Sequence, residues 1–137
     1  MAGVLMYLID TNIFLEYILS RPRVGEVREF FSRTDPAMLA VTDFSLHTLG
    51  VIFLRNKKVD EYLQFVNEDI LASGIRVISL APEEYPHLAR AAARFGLDFD
   101  DAYQYAVAEQ HDLTIVSFDQ HFDRTKKGRK EPKDIVR

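Results

Sequence analysis

The stretch VLMYLI, residues 4–9, shows almost no alternation of apolar and polar side chains, and it runs directly into Asp10. A strand that is apolar on both faces has to be covered on both faces. Three further short runs of strand length follow, Met38 to Val41, Ile75 to Leu80 and Leu113 to Ser117. Helical stretches lie in pairs between them. Asn12 to Ser20 and Val24 to Arg33 form the first pair. A helix capped by Thr42 or Asp43 and running to about Asn56, then Asp60 to Ala72, form the second. Pro82 opens the fifth helix and Gly96 ends it. Asp98 caps the sixth, where Phe99, Ala102, Tyr103, Ala106 and Val107 make one stripe at i, i+3, i+4, i+7 and i+8. The order β-α-α-β-α-α-β-α-α-β predicts an α/β fold, with a mostly parallel central sheet covered by helices on both faces.

With 137 residues the chain is expected to be one domain, 1–137, able to bury roughly 70% of its unfolded surface. The absence of cysteine excludes disulfides and thiolate metal sites. The N-terminal apolar run is too short for a membrane span and has no basic leader or small-residue cleavage site, so the expected location is cytoplasmic, with no membrane. The charge is uneven. Residues 124–137 form a basic C-terminal segment with seven Lys or Arg against Glu131 and Asp134. That is a net of about +5, and it leaves about −9 on the rest. An acidic body excludes a general nucleic-acid coat but not a nuclease, because a metal site needs carboxylates where the phosphate is attacked.

The acids fall at strand ends. Asp10 follows the first strand, Thr42-Asp43 the second, and Ser117-Phe118-Asp119 the fourth. Asp98, Asp100 and Asp101 open the helix before that fourth strand. A parallel sheet gathers these positions at one edge, where ligands of such folds sit. Carboxylates meeting at one point repel unless a cation neutralises them, and hard oxygen donors suit Mg²⁺ or Mn²⁺. Each acid alone also reads as a helix cap. Only their coincidence carries the metal reading. Thr11 and Asn12 add short polar side chains at a helix start, whose free N–H groups suit an anion.

At "YLIDTNIFLEYI" and "DDAYQYAVAEQHDLTIVSFDQHF" the chain resembles the PIN-domain family, the fold of the VapC-type toxin ribonucleases. "RKEPKDIV" also looks like that family's last segment. The resemblance implies a three-layer α/β/α sandwich. It places Asp10, Asp101 and Asp119 as catalytic and metal-site acids, and Asn12 and Ser117 as the polar residues that position them. Asp100 is a neighbour able to substitute for Asp101, and Asp123 is a looser match to a further acid, with His121 nearer that place.

One departure stands out. Where the family usually has Glu in the helix after the second strand, aligning "AVTDFSLHTLGVIF" puts His47. Asp43 lies four residues earlier on the same helix face. Either Asp43 reaches the metal with help from His47, or the site has lost a ligand.

The resemblance implies a Mg²⁺- or Mn²⁺-dependent endoribonuclease, in which an activated water attacks phosphorus and leaves a 3′-hydroxyl and a 5′-phosphate. It also implies a homodimer and a small antitoxin partner. Lys126, Lys127, Arg129 and Lys130 are candidates to guide the RNA backbone by charge. The alternatives are a catalytically weakened domain of the same fold that binds RNA or a protein, and an aspartyl phosphatase. The phosphatase wants a second Asp two residues after the first, where this chain has Asn12.

Overall fold

The structure, a computed structural model, describes residues 6–136. Val4 and Leu5 of the expected first strand, and Arg137 of the basic segment, lie outside the described residues. Four strands form one sheet: β1 (Tyr7–Ile9), β2 (Leu39–Thr42), β3 (Arg76–Ile78) and β4 (Thr114–Val116). All three pairings are parallel, in the order β3-β2-β1-β4. Helices α1 (Thr11–Ile18) and α2 (Val24–Arg33) join β1 to β2. Helices α3 (Asp43–Arg55) and α4 (Val59–Gln64) join β2 to β3. Helices α5 (Tyr85–Phe95) and α6 (Phe99–Gln110) join β3 to β4, and a short α7 (Pro132–Ile135) follows.

The unbroken apolar character of the strands is explained by two cores, one on each face of the sheet. Leu8, Ala40 and Ile115 enter a core with Leu88, Tyr105, Val107 and Phe122. Their neighbours Ile9, Val41 and Val116 enter the other, with Ile13, Phe30, Leu49 and Phe65. The two-residue period of a strand sends successive side chains to opposite faces, and here both faces are dry. Helix α6 is buried on all sides from Asp101 to Ala108. Its polar residues in that stretch therefore sit inside the molecule.

Element boundaries differ from expectation in one instructive place. The stretch expected as a single helix from Asp60 to Ala72 is α-helical only to Gln64 and then widens into a π-helical turn, Phe65–Leu71. Ala72 N–H donates to Asn67 O at 2.9 Å, and Ile75 N–H to Ile70 O at 3.2 Å, both five residues back. The wider turn brings Phe65 and Ile70, themselves five apart, to the same buried side. Gly96 closes α5 in the left-handed conformation, φ 64°, as expected for a residue ending a helix.

The basic segment is tied down rather than trailing. Lys130 bridges to Val116 beside β4, with Lys130 N–H donating to Ile115 O at 2.8 Å and Ser117 N–H to Lys130 O at 3.0 Å. Arg129 donates to Ser117 O at 3.1 Å, to Glu131 at 2.8 Å and to Asp123 at 3.1 Å. Glu131 also accepts from Arg23 at 2.7 Å, and Arg23 lies 4.0 Å over the Phe118 ring. The clamp thus holds the segment just after β4 through the Ser117 carbonyl and the Phe118 ring.

Arg23 and Arg129 together hold the Glu131 carboxyl down to about 2, from an ordinary 4.5. A depressed carboxylate stabilises the fold above its unfolded pKa and loses that contribution as pH falls toward its folded one. Urea midpoints of the wild type are therefore expected to drop between pH 5 and pH 2. Glu131→Gln should lower the midpoint at pH 6 and flatten that drop; an unchanged midpoint at pH 6 would show that the clamp contributes nothing.

Candidate active site

The strand order places β1 between β2 and β4, so the chain's direction of travel across the sheet reverses at the β1/β4 border. In an open parallel sheet the crevice beyond the strand ends at such a border is where ligands sit. Asp10 closes β1 there. Its N–H donates to Val116 O at 3.0 Å, and its side chain caps α1 by accepting from Thr11 N–H at 2.9 Å. Ser117, fully buried, closes β4 opposite. Its hydroxyl donates to Asp10 Oδ2 at 2.6 Å and accepts from Asp119 N–H at 2.9 Å and from Asn12 Nδ2 at 3.2 Å. Asn12 Oδ1 in turn accepts from Phe118 N–H at 3.2 Å. One hydroxyl and one amide thus fix the first acid to the last motif.

Asp10 Oδ1 is held from the other side by Gln104 of α6, at 3.0 Å. The same Gln104 nitrogen donates to Ser45 Oγ at 2.8 Å, and Ser45 Oγ lies 2.7 Å from Thr11 Oγ1 and 3.3 Å from Thr42 Oγ1. Gln104 Oε1 is buried without a partner among the described residues. An orphan acceptor costs roughly 1–3 kcal/mol, a cost tolerated here beside a network that keeps Asp10 in place.

Asp98 caps α6, accepting from Asp101 N–H at 2.9 Å, and Asp101 stands in the wall of the crevice. Asp101 Oδ2 and Asp119 Oδ1 each lie 3.2 Å from His121 Nδ1. Ligand atoms of Asp101, Asp119 and His121 all fall within 4.8 Å of one another. Burial raises the pKa of Asp10, against hydrogen bonds from Ser117, Gln104 and Thr11 and with the Asp119 charge adding to it. Burial first, then the charges of Asp119 and Asp98, push Asp101 up to about 6, against the His121 bond and with Asp10 raising it further. Negative charges confined in this way fit a divalent cation. Carboxylate oxygens suit Mg²⁺ or Mn²⁺, and the imidazole tilts the donor set toward Mn²⁺.

A crevice of about 200 Å³ opens on this side, with Asp10, Thr11, Asn12, Asp100, Asp101 and Gln104 in its wall. From α3 the wall takes Phe44 and Thr48. His47 is exposed and stands outside that wall. Asp43 is exposed as well, with Oδ1 accepting from Phe44 N–H and the Tyr103 hydroxyl, both at 2.8 Å, and it is not among the converging ligand atoms. Asp123 pairs with Arg129. Lys126 and Lys130 are exposed, Lys127 reaches Asp112 at 3.5 Å, and the Arg129 side chain is occupied by the clamp.

The structure therefore brings together Asp10, Asp101, Asp119, Asn12, Thr11, Ser117 and Asp100, and leaves Asp43, His47 and Asp123 apart. Sequence reasoning passed over Gln104, Ser45 and Thr48. Gln104 had a signal, since it lies three residues after Asp101 on one helix face.

A family model described as PIN domain matches residues 7–128. No curated protein matches. Among solved structures, a toxin-antitoxin complex from Klebsiella pneumoniae is 17% identical, covers 92% of this chain and 97% of its own, and has a TM-score of 0.73. FitAcB from Neisseria gonorrhoeae is 22% identical, with coverage of 95% and 100% and a TM-score of 0.72. VapC20 of Mycobacterium tuberculosis, described as a sarcin-ricin loop cleaving toxin, is 14% identical, with coverage of 82% and 89% and a TM-score of 0.68.

A carboxyl whose folded pKa is raised opposes folding as pH climbs through the window it spans. For Asp101 that window runs from about 4 to about 6. In EDTA, Asp101→Asn is expected to raise stability at pH 7.5 by roughly 1–2 kcal/mol and to leave stability at pH 3.5 nearly unchanged. Urea melts at the two pH values check this; an equal change at both would place the effect in packing and not in charge.

Proposed function

Because the chain belongs to the PIN-domain family, which fixes its fold, we propose that it is a divalent-metal-dependent endoribonuclease of the toxin type. The observation that carries this reading is the convergence of Asp101, Asp119 and His121 at the β1/β4 border, with Asp10 near enough for its charge to act on Asp101. Asp10, Asp101 and Asp119 are the acids assigned to hold Mg²⁺ or Mn²⁺. When bound, the ion supplies Lewis-acid stabilisation of phosphoryl oxygens and lowers the pKa of a water at neutral pH.

The chain's own residues do the rest. Ser117 and Gln104 hold the two oxygens of Asp10, so that carboxylate presents a fixed face. Asp98 and Ser117, through the N–H groups of Asp101 and Asp119, set the backbone from which the other two acids project. The exposed Lys126 and Lys130, with Lys127, are assigned to the RNA backbone. Arg129 serves first to hold the end of β4. A small antitoxin protein, a homodimer and a cytoplasmic location complete the proposal. No helix of the described residues is long and apolar enough to cross a membrane.

A second reading has its own observation. α3 offers the crevice Phe44 and Thr48 and no carboxylate. If the remaining acids hold the ion too weakly, the domain binds RNA or a protein partner and cuts slowly.

A fluorogenic oligoribonucleotide separates the readings. Cleavage is expected with Mn²⁺ or Mg²⁺, with none in EDTA. Asp10→Asn and Asp119→Asn should each lower kcat/KM by about 100-fold or more. Cleavage that ignores EDTA or survives both substitutions would reject the enzyme. Binding seen by anisotropy with no cleavage in either metal would favour the weakened domain.

A further inference from the structure

We propose that the Thr11 hydroxyl is a substrate-binding donor for a phosphoryl oxygen, turned into the crevice by a one-way chain of hydrogen bonds whose direction Gln104 sets. This rests on the crevice being the phosphodiester site. The chain can be followed proton by proton. Gln104 Nε2 has two, and it faces two acceptors, Asp10 Oδ1 at 3.0 Å and Ser45 Oγ at 2.8 Å. An ionised carboxylate only accepts, so the nitrogen and not Oε1 must face Asp10. Turning the amide over would set two oxygens against each other.

Ser45 Oγ therefore accepts from Gln104. It also accepts from the Thr42 hydroxyl at 3.3 Å, while Thr42 Oγ1 takes the Ser45 N–H at 3.0 Å. A hydroxyl oxygen has two acceptor sites and one proton. Both acceptor sites of Ser45 are then filled, and its proton has one direction left, Thr11 Oγ1 at 2.7 Å. Thr11 accepts that bond. Its own proton finds no acceptor among the described residues, and Thr11 stands in the crevice wall between Asp10 and Asn12. The crevice thus holds a neutral donor surrounded by carboxylates.

The acids of the wall offer nothing to an incoming phosphoryl oxygen, which can only accept. The Thr11 O–H fits it, and the bond accepted from Ser45 keeps the Thr11 proton free to be given away from Ser45. Gln104 acts through Ser45 and is a positioning residue, and Thr11 is the group that touches substrate.

The test uses the full chain in saturating Mg²⁺, with inorganic phosphate as the probe and ¹⁵N–¹H spectra as the readout. Wild type is expected to bind phosphate with shifts around Thr11 and Asn12. Thr11→Val should weaken that binding about tenfold, and Thr11→Ser should restore it to within about threefold. Gln104→Met should weaken it as well, and adding Thr11→Val to it should cost no more than the larger single effect. Magnesium affinity, read separately by calorimetry, should be unchanged in Thr11→Val, which a merely structural role would not predict.

The proposal is overturned if wild type binds no phosphate, if Thr11→Val binds it within twofold of wild type, if Thr11→Ser fails to restore binding, or if the magnesium affinity of Thr11→Val falls in parallel. Additive effects of the two substitutions would overturn the role of Gln104. Should Gln104→Met fail to fold, the Thr11 pair decides alone. Oligoribonucleotide cleavage is run beside it. Its absence together with the expected phosphate pattern would reject the nuclease reading and leave the Thr11 donor standing.

Discussion

Asp10 is only 8% exposed at the end of a strand whose other described residues are mostly buried. Taking a carboxylate out of water is expensive unless hydrogen bonds or opposite charge replace the water. Much of the local architecture answers that demand. Ser117 comes from the end of β4, Gln104 from the middle of α6 and the Thr11 N–H from the first turn of α1, and all three converge on the two Asp10 oxygens. These bonds do not fully offset burial, since the carboxyl still resists ionisation. The remaining deficit is the physical case for a cation, and it grows with each further acid brought near.

Topology makes that crowding possible. The sheet order sets β1 against β4, so residues more than a hundred positions apart share a hydrogen bond at the crevice floor. The same border is pinned from behind by Arg129, whose guanidinium binds Ser117 O while Glu131 bridges Arg129 and Arg23. Stability and site geometry are therefore coupled at β4: the residues that keep the last strand paired also set where the Asp119 backbone begins.

The sequence shows the element order and the acids at strand ends because both follow from short-range patterns. Apolar runs without alternation mark strands buried on both faces, and Asp98 and Thr42 mark helix starts by their capping chemistry. What it hides depends on the side chains that fill space between elements. Gln104 lies off the Phe99, Ala102, Tyr103, Ala106, Val107 stripe, so the apolar period assigns it to solvent, whereas the structure buries the helix on every side there. Thr48 and His47 are adjacent, so only the rotation of α3 decides that Thr48 lines the crevice. Arg129 reads as a free cation in a basic run, and only the fold of the segment reveals three acceptors around it. The π-helical turn after α4 likewise depends on packing of Phe65 and Ile70, not on any local breaker.

The claim beneath this account is that one divalent ion joins acids drawn from three separate places in the chain. An anomalous difference map from crystals soaked in Mn²⁺ tests it most directly. The account predicts a peak within bonding distance of Asp101 and Asp119, near Asp10, with the His121 ring displaced from its two carboxylates or turned to the ion. A map with no peak there at saturating Mn²⁺, or a peak held elsewhere on the surface, would contradict it.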